Sequence, residues 1–198
     1  PGLPPCEADV AVVTVSIVTA TSAGTNGSLT VCSNGAPVEL ITQLGGNPAQ
    51  SGSWVGPDAQ PFGGLFVPGT SQPGIYTYTV QGTSPCANAI AQVEVGVVPA
   101  PNAGSNGSIT VCSSNAPVDL FAQLGGSPDQ GGTWIRPGGT AHSGVYLPAS
   151  EPSGTYTYTV AGTVPCANAS SSVQVVRVLA PNAGVDGSIT VCSTNNSF

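Results

Sequence analysis

The chain has 198 residues and a formal net charge of −7 at pH 7, because 9 residues are Asp or Glu and only 2 are Lys or Arg. Two cations cannot form the basic patch that a nucleic acid or an anionic membrane surface would need, so both classes of partner are excluded. No stretch approaches the roughly 20 uninterrupted apolar residues of a membrane helix, and we therefore expect no direct membrane insertion.

The sequence repeats itself with a period of about 80 residues. Its six cysteines form two sets with this spacing: Cys6, Cys86 and Cys166, and Cys32, Cys112 and Cys192. Around them, "GIYTYTVQGTSPCANA" returns as "GTYTYTVAGTVPCANA". The repeat predicts four parts: the C-terminal strand of a preceding repeat at 1–22, complete repeats at 23–102 and 103–182, and the N-terminal strand of a following repeat at 183–198.

Short β-prone runs, separated by Gly, Pro and Asn at intervals of about ten residues, indicate an antiparallel sandwich in each repeat. In the first repeat we predict strands A, B, C, E, F and G at 28–32, 37–44, 53–56, 64–67, 74–81 and 89–98. No segment shows apolar residues at positions i, i+3 and i+4, so we expect almost no helix. The predicted fold class is all-β, with tandem immunoglobulin-like (Ig-like) antiparallel β-sandwich repeats of about 80 residues.

Alternation along these strands predicts which side chains form the core. The predicted inward-facing residues of the first repeat are Val38, Leu40, Leu44, Tyr76, Tyr78, Val80, Ala91, Val93, Val95 and Val97. Trp54 and Trp134 fall on strand C, where an Ig-type sandwich has its core tryptophan. We interpret both as core residues rather than as platforms for carbohydrate stacking.

The even number of cysteines at fixed positions favours structural disulfides and an oxidising, extracellular setting. No pair has the close CxxC spacing that is typical of zinc or redox sites. Three pairings respect the period: within repeats (Cys32–Cys86 and Cys112–Cys166), between successive cysteines (Cys6–Cys32, Cys86–Cys112 and Cys166–Cys192), or one repeat further along (Cys32–Cys166).

Sandwich geometry discriminates between these pairings. Cys32 is expected at the turn after strand A and Cys86 in the F–G loop, at opposite ends of the sandwich. A seven-residue strand separates the ends by about 23 Å, whereas bridged Cα atoms lie within about 7 Å. Head-to-tail stacking would bring Cys32 towards Cys166 and lock the joint, and we favour this pair. A permuted arrangement, with strands G and A forming a hairpin about residue 99, would instead favour Cys86–Cys112.

No catalytic, cofactor-binding or metal site is predicted. The single histidine, His142, lies where the first repeat has Phe62, and Arg177 lies where it has Val97. A Ser-His-carboxylate triad could therefore form in only one repeat, and we expect no enzyme. The carboxylates are scattered singly, without the pattern of a calcium loop.

The motif "PNAGxxGSITVCSxxAPVDLxAQLGG" at Pro101–Gly126 is followed by "GGTW" at Gly131–Trp134 and by "GTYTYTVAGTVPCANA" at Gly154–Ala169. This combination resembles the tandem Ig-like and PKD-like repeats of very large cell-surface adhesins of gliding bacteria, the SprB-type substrates of the type IX secretion system. The resemblance implies a mobile adhesin, carried along the cell surface by a motility machine and gripping the substratum.

We expect the chain to be a structural stalk segment of such an extracellular adhesin, with neighbouring repeats and an unknown surface ligand as partners. One alternative is a self-assembling filament subunit, in which 1–22 and 183–198 complete a domain between chains by strand exchange. The other is a carbohydrate- or protein-binding module that uses the variable loops at Asp58–Gly64 and Gly138–Gly144.

Overall fold

A computed structural model of the protein describes Pro4, residues 9–190 and Cys192. The chain divides into two compact units. The first unit comprises Pro1–Ala100 and Gly162–Ala167, and the second comprises Pro101–Ala161 and Asn168–Phe198. The first unit thus includes one short loop from the second repeat.

Each unit is built from short strands, and among the described residues the only helices are two short 3₁₀ helices, Leu40–Gln43 and Phe121–Gln123. The strands of the first unit are β1 (Gly27–Cys32), β2 (Val38–Glu39), β3 (Ser53–Val55), β4 (Pro61–Phe62), β5 (Leu65–Phe66), β6 (Gly74–Val80) and β7 (Ala89–Val98). Those of the second unit are β8 (Gly107–Cys112), β9 (Val118–Asp119), β10 (Thr133–Ile135), β11 (Ala141–His142), β12 (Val145–Tyr146), β13 (Gly154–Val160) and β14 (Ala169–Val178).

The strands of each unit form two facing sheets. In the first unit the larger sheet has the order β1-β7-β6-β3-β4, and β2 pairs with β5 in the smaller one. The second unit repeats this plan as β11-β10-β13-β14-β8 and β12-β9. Each unit is therefore an Ig-like β-sandwich, which confirms the predicted fold class.

The core of each sandwich lies between the two sheets. The inward-facing residues predicted for strands F and G of the first repeat are buried, with the exception of the half-buried Val97. Trp54 and Trp134 are each only 7% exposed, and Trp54 packs against Tyr78 with ring centroids 4.8 Å apart. Core packing of both tryptophans is confirmed.

The prediction of a long strand B at 37–44 is wrong. Only Val38–Glu39 forms a strand, and the chain continues as the 3₁₀ helix Leu40–Gln43. The reason is that β2 pairs only with β5, which has 2 residues, so a longer strand would leave its backbone N–H and C=O groups unpaired.

Two further features differ from the predicted antiparallel sandwich. Strand β1 runs parallel to β7, with Gly27 opposite Val93 and Cys32 opposite Val98, and β8 runs parallel to β14 in the same register. The short strand β4 was not predicted. It forms because the chain reverses tightly before it, where the amide of Gly56 donates to the carbonyl of Gln60 at 2.9 Å.

Residues 9–24 and 179–190 contain no strand. The strands predicted within 1–22 and 183–198 are therefore not formed in the described part of these segments, because a strand needs a neighbour with which to pair. Val13 and Val15, which by the repeat period correspond to the inward-facing Val93 and Val95, are exposed. Cys6 lies outside the described residues.

Candidate functional site

The main covalent feature of the structure is a disulfide between Cys32 and Cys166, whose Cα atoms are 4.9 Å apart. Both cysteines belong to the first unit, although their sequence separation is 134. This is the pair that sandwich geometry favoured. The hairpin arrangement behind Cys86–Cys112 is wrong, since β7 pairs with β1 and β6, and β8 pairs with β14.

Cys166 lies in a tight loop, Gly162–Ala167, which we call the cysteine loop. The Cys166 amide donates to the Thr163 carbonyl at 2.8 Å and closes the turn. A Cβ atom at Gly162 would lie 2.4 Å from the carbonyl oxygen of Ala167 and 2.5 Å from that of Cys166, so only glycine fits there. The loop therefore holds the Cys166 sulfur in a fixed place.

Cys32 lies at the end of β1 and begins a second tight segment, residues 32–35, which we call the cysteine turn. The Ser33 amide donates to the Val98 carbonyl at 2.8 Å, and the Ser33 hydroxyl accepts the Ala100 amide at 2.9 Å. The Cys166 sulfur lies 3.4 Å from the carbonyl oxygens of both Val98 and Pro99. The cysteine turn and the cysteine loop thus meet on the chain that follows β7.

The other described cysteines, Cys86, Cys112 and Cys192, are free thiols. Cys32 and Cys166 are 8% and 6% exposed, whereas Cys86 and Cys112 are half-buried and Cys192 is exposed. The pairing within repeats, Cys32–Cys86 and Cys112–Cys166, is therefore wrong, because it would leave neither Cys86 nor Cys112 as a free thiol.

A polar network in the second unit connects His142 and Arg177 through Glu151. His142 lies 3.0 Å from Glu151 through Nε2, and its Nδ1 accepts the Gly144 amide at 3.0 Å. Because Nδ1 accepts, Nε2 carries the proton and donates it to the carboxylate. The other Glu151 oxygen accepts the Leu147 amide at 2.7 Å.

The backbone carbonyl of Glu151 completes the network. It accepts the Tyr146 hydroxyl at 3.1 Å and an Arg177 guanidinium nitrogen at 3.2 Å. The equivalent positions of the first repeat are occupied by Phe62, Ser71, Phe66 and Val97. The signal that could have found this network is that the four positions differ together between the repeats.

The network has a structural rather than a catalytic geometry. Every polar group of the His142–Glu151 pair is engaged by a neighbour of the same unit. The adjacent ring of Tyr156 is buried, and this burial, with the nearby Glu151 charge, raises the pKa of Tyr156 to about 12. Its hydroxyl therefore stays protonated at physiological pH and donates to the Pro152 carbonyl at 3.0 Å.

Each of the two variable loops predicted for a binding module contributes residues to a cavity. Asp58–Gly64 borders a cavity of about 340 Å³ beside Tyr76. In the second unit, a cavity of about 330 Å³ lies between Asp119, Trp134 and Tyr158 and includes only Ser143 of the loop Gly138–Gly144. These two cavities therefore occupy different positions in the repeat.

Among the residues that the structure describes, no group of three or more His, Cys, Asp or Glu side chains is arranged to hold a metal ion. Neither of the helices in that part of the chain has the length and apolar character needed to cross a membrane.

Comparisons with known proteins return structural similarities only. No family model matches the chain, and no curated protein matches it. A titin I-band fragment, I67–I69, is 12% identical with a TM-score of 0.46; the alignment covers 81% of this chain and 65% of the fragment. The four N-terminal Ig domains of Dscam1 isoform 6.9 are 13% identical with a TM-score of 0.40, over 84% of this chain and 48% of that one.

A third similar structure is that of extracellular domains 3–5 of Drosophila OTK, which is 15% identical with a TM-score of 0.35 over 77% of this chain and 60% of that one. The chain thus spans less than two thirds of the length of these proteins. Similarity at this level carries no information on function.

Proposed function

We propose that the chain is a structural stalk segment of an extracellular repeat adhesin. The observation that carries this proposal is the disulfide between Cys32 and Cys166. Force applied to the two ends of the chain passes through this covalent bond, so the chain between the two cysteines, whose sequence separation is 134, is bypassed. A segment that has to transmit tension without lengthening needs this property.

Composition and resemblance support the same function. A structural disulfide persists in an oxidising environment such as the outside of a cell. The net charge of −7 at pH 7 keeps repeats of this kind apart from one another in solution. On the basis of the resemblance to SprB-type adhesins, the proposal includes export by the type IX secretion system to the surface of a gliding bacterium. There the chain would contact neighbouring repeats and a surface ligand.

Single-molecule extension tests the mechanical part of the proposal. The oxidised chain, pulled from its two ends, is expected to reach a contour length shorter by roughly 450 Å than that of the double variant Cys32→Ser/Cys166→Ser, because the bridge bypasses 134 residues at about 3.3–3.6 Å each. Equal contour lengths would contradict the load-bearing role.

Labelling of cells tests the location. An antibody raised against the chain is expected to label intact source cells without permeabilisation, and cells that lack these repeats are expected to attach to glass and glide less. Labelling that appears only after permeabilisation would refute a surface stalk.

One observation favours a second candidate, a filament subunit completed by strand exchange. Four exposed valines lie in residues 9–24, which form no strand: Val10, Val12, Val13 and Val15. This apolar segment has the composition of a strand that could pair with the edge of another copy. Sedimentation of the reduced chain tests it: strand exchange predicts non-covalent polymers that grow with concentration, and a monomer at all concentrations would exclude it.

A further inference from the structure

We propose that Cys86 and Cys112 each form a disulfide equivalent to Cys32–Cys166 with a cysteine of an adjoining repeat. Cys112 pairs with the cysteine of a cysteine loop, and Cys86 pairs with the cysteine of a cysteine turn. The inference deepens the proposed function, and rests on it, because it assigns the partner that holds one repeat to the next. That partner is another repeat of this type, and a second copy of this chain carries both segments.

The loop around Cys86 has the conformation of the bonded cysteine loop. The Cys86 amide donates to the Thr83 carbonyl at 2.8 Å, as the Cys166 amide does to that of Thr163. A Cβ atom at Gly82 would lie 2.5 Å from the Cys86 carbonyl oxygen, the same distance as in the bonded loop. The loop around Cys86 therefore already has the conformation in which the equivalent Cys166 forms its disulfide.

The chain beside Cys86 reproduces the bonded arrangement as well. The Cys86 sulfur lies 3.6 Å from the Val18 carbonyl oxygen, whereas the Cys166 sulfur lies 3.4 Å from that of Val98, the equivalent of Val18 one repeat later. In the bonded arrangement, the Val98 carbonyl also accepts the amide next to Cys32. The Val18 carbonyl thus marks the place that a cysteine turn would occupy next to Cys86.

The turn at Cys112 is equally complete. The Ser113 amide donates to the Val178 carbonyl at 2.8 Å, and the Ser113 hydroxyl accepts the Ala180 amide at 2.9 Å, as Ser33 does with Val98 and Ala100. Val178 is 53% exposed, whereas its equivalent Val98 is half-buried where the bonded loop lies. The second unit therefore presents a formed and uncovered cysteine turn.

The chemistry of the step is an oxidation of two thiols. The two sulfurs bond to each other while the S–S bond of oxidised glutathione breaks by thiol–disulfide exchange, and the two electrons and two protons of the cysteine thiols end on two molecules of reduced glutathione. The hydrogen bond of the Ser114 hydroxyl to the Cys112 sulfur, at 3.2 Å, lowers the pKa of the Cys112 thiol. Since the thiolate is the nucleophile, Cys112 is suited to attack.

Cross-linking with complementary variants tests this pairing. The substitutions Cys6→Ser and Cys192→Ser first remove the terminal cysteines from the full chain. In this background, Cys86→Ser leaves only the Cys112 thiol free, and Cys112→Ser leaves only the Cys86 thiol free. Each variant is incubated in a glutathione redox buffer, alone and mixed with the other, and the products are resolved by non-reducing electrophoresis and peptide mass mapping.

The expected result is a covalent dimer in the mixture, mapped to a bond between Cys86 and Cys112, and its loss when either variant is incubated alone. Dimers of similar yield in the separate samples would show random thiol collision and overturn the proposal, as would the absence of a dimer in the mixture. Both variants retain the Cys32–Cys166 bridge, and circular dichroism confirms their fold. The assay reports only which cysteines bond, so its failure is distinguishable from failure of the surface-stalk function.

Discussion

Removal of the Cys32–Cys166 disulfide is expected to destabilise both units of the chain. The double substitution Cys32→Ser/Cys166→Ser eliminates the bridge without leaving a new free thiol. When both units unfold, the bridge closes a loop over a sequence separation of 134 residues. The chain-entropy model assigns about 5 kcal/mol to a loop of that length.

A smaller loop is closed when one unit unfolds alone. The unit boundaries divide the bridged segment into two parts of similar length: Cys32–Ala100 and Gly162–Cys166 belong to the first unit, and Pro101–Ala161 belongs to the second. A loop of roughly 60–75 residues corresponds to about 4 kcal/mol in the same model. Because the two parts are so similar in length, we expect similar losses of stability in the two units.

The two tryptophans allow each unit to be followed separately, because Trp54 reports on the first unit and Trp134 on the second. Guanidinium unfolding is monitored by tryptophan fluorescence in Trp134→Phe and Trp54→Phe backgrounds, each with and without the bridge. The matched control is Cys86→Ser/Cys112→Ser, which removes two equivalent thiols that form no bond within the chain. A loss no greater than that of this control would refute the reasoning.

Three further predictions concern single side chains. His142→Phe and Glu151→Ser, which introduce the residues of the first repeat, are each expected to lower the free energy of unfolding of the second unit. A double-mutant cycle should give a coupling of about 0.5–3 kcal/mol between the two positions. Additive effects would contradict the network. Because burial raises the pKa of Tyr156 to about 12, above its ordinary value of 10.0, its contribution is fully present below pH 10 and is lost as the pH rises from about 10 to about 12. Unfolding measured across that range should show a decline that Tyr156→Phe reduces, and an unchanged slope would oppose this assignment. Gly52→Ala would place a Cβ atom 2.4 Å from the ring of a buried tyrosine in β6, and urea unfolding should show a loss of about 1–3 kcal/mol in the free energy of unfolding. The control Gly63→Ala, whose Cβ atom would have nothing within 4 Å, should lose far less. Equal losses would argue against the clash.

Sequence patterns were sufficient to predict a strand and its buried residues where the strand buries one continuous face. Tyr76, Tyr78 and Val80 alternate along β6 and are all buried, because this face of the strand packs into the core of the first unit. The same reasoning failed for strand B, where the two-residue partner β5 limits the pairing. The length of a partner strand is set elsewhere in the chain, so local alternation at 37–44 could not reveal it.

Of the residues in the functional-site region, the bonded cysteines were predicted from the sequence and the other contacts were not. Cys32–Cys166 could be favoured from the sequence because the repeat period and the length of a strand limit which cysteines can approach each other. The network around Glu151 left only an indirect signal in the sequence, the joint differences between the repeats, since His142 and Arg177 are far apart in sequence and meet at Glu151 only in the folded unit. The contact of the Cys86 sulfur with the Val18 carbonyl likewise depends on the path of a segment without a strand.

The span of the disulfide exceeds the period of the repeat, since the bonded cysteines have a sequence separation of 134 whereas the sequence repeats after about 80 residues. In an array bonded throughout as proposed, each closed loop would therefore overlap the next one, here over the segment Cys112–Cys166. The preceding loop would end at Cys86 and the following one would begin at Cys112, so only the short segment between these two cysteines would be enclosed by Cys32–Cys166 alone. Reduction of one bridge would then release only that segment, and the redundancy of neighbouring bridges would protect the length of the array against isolated chemical damage.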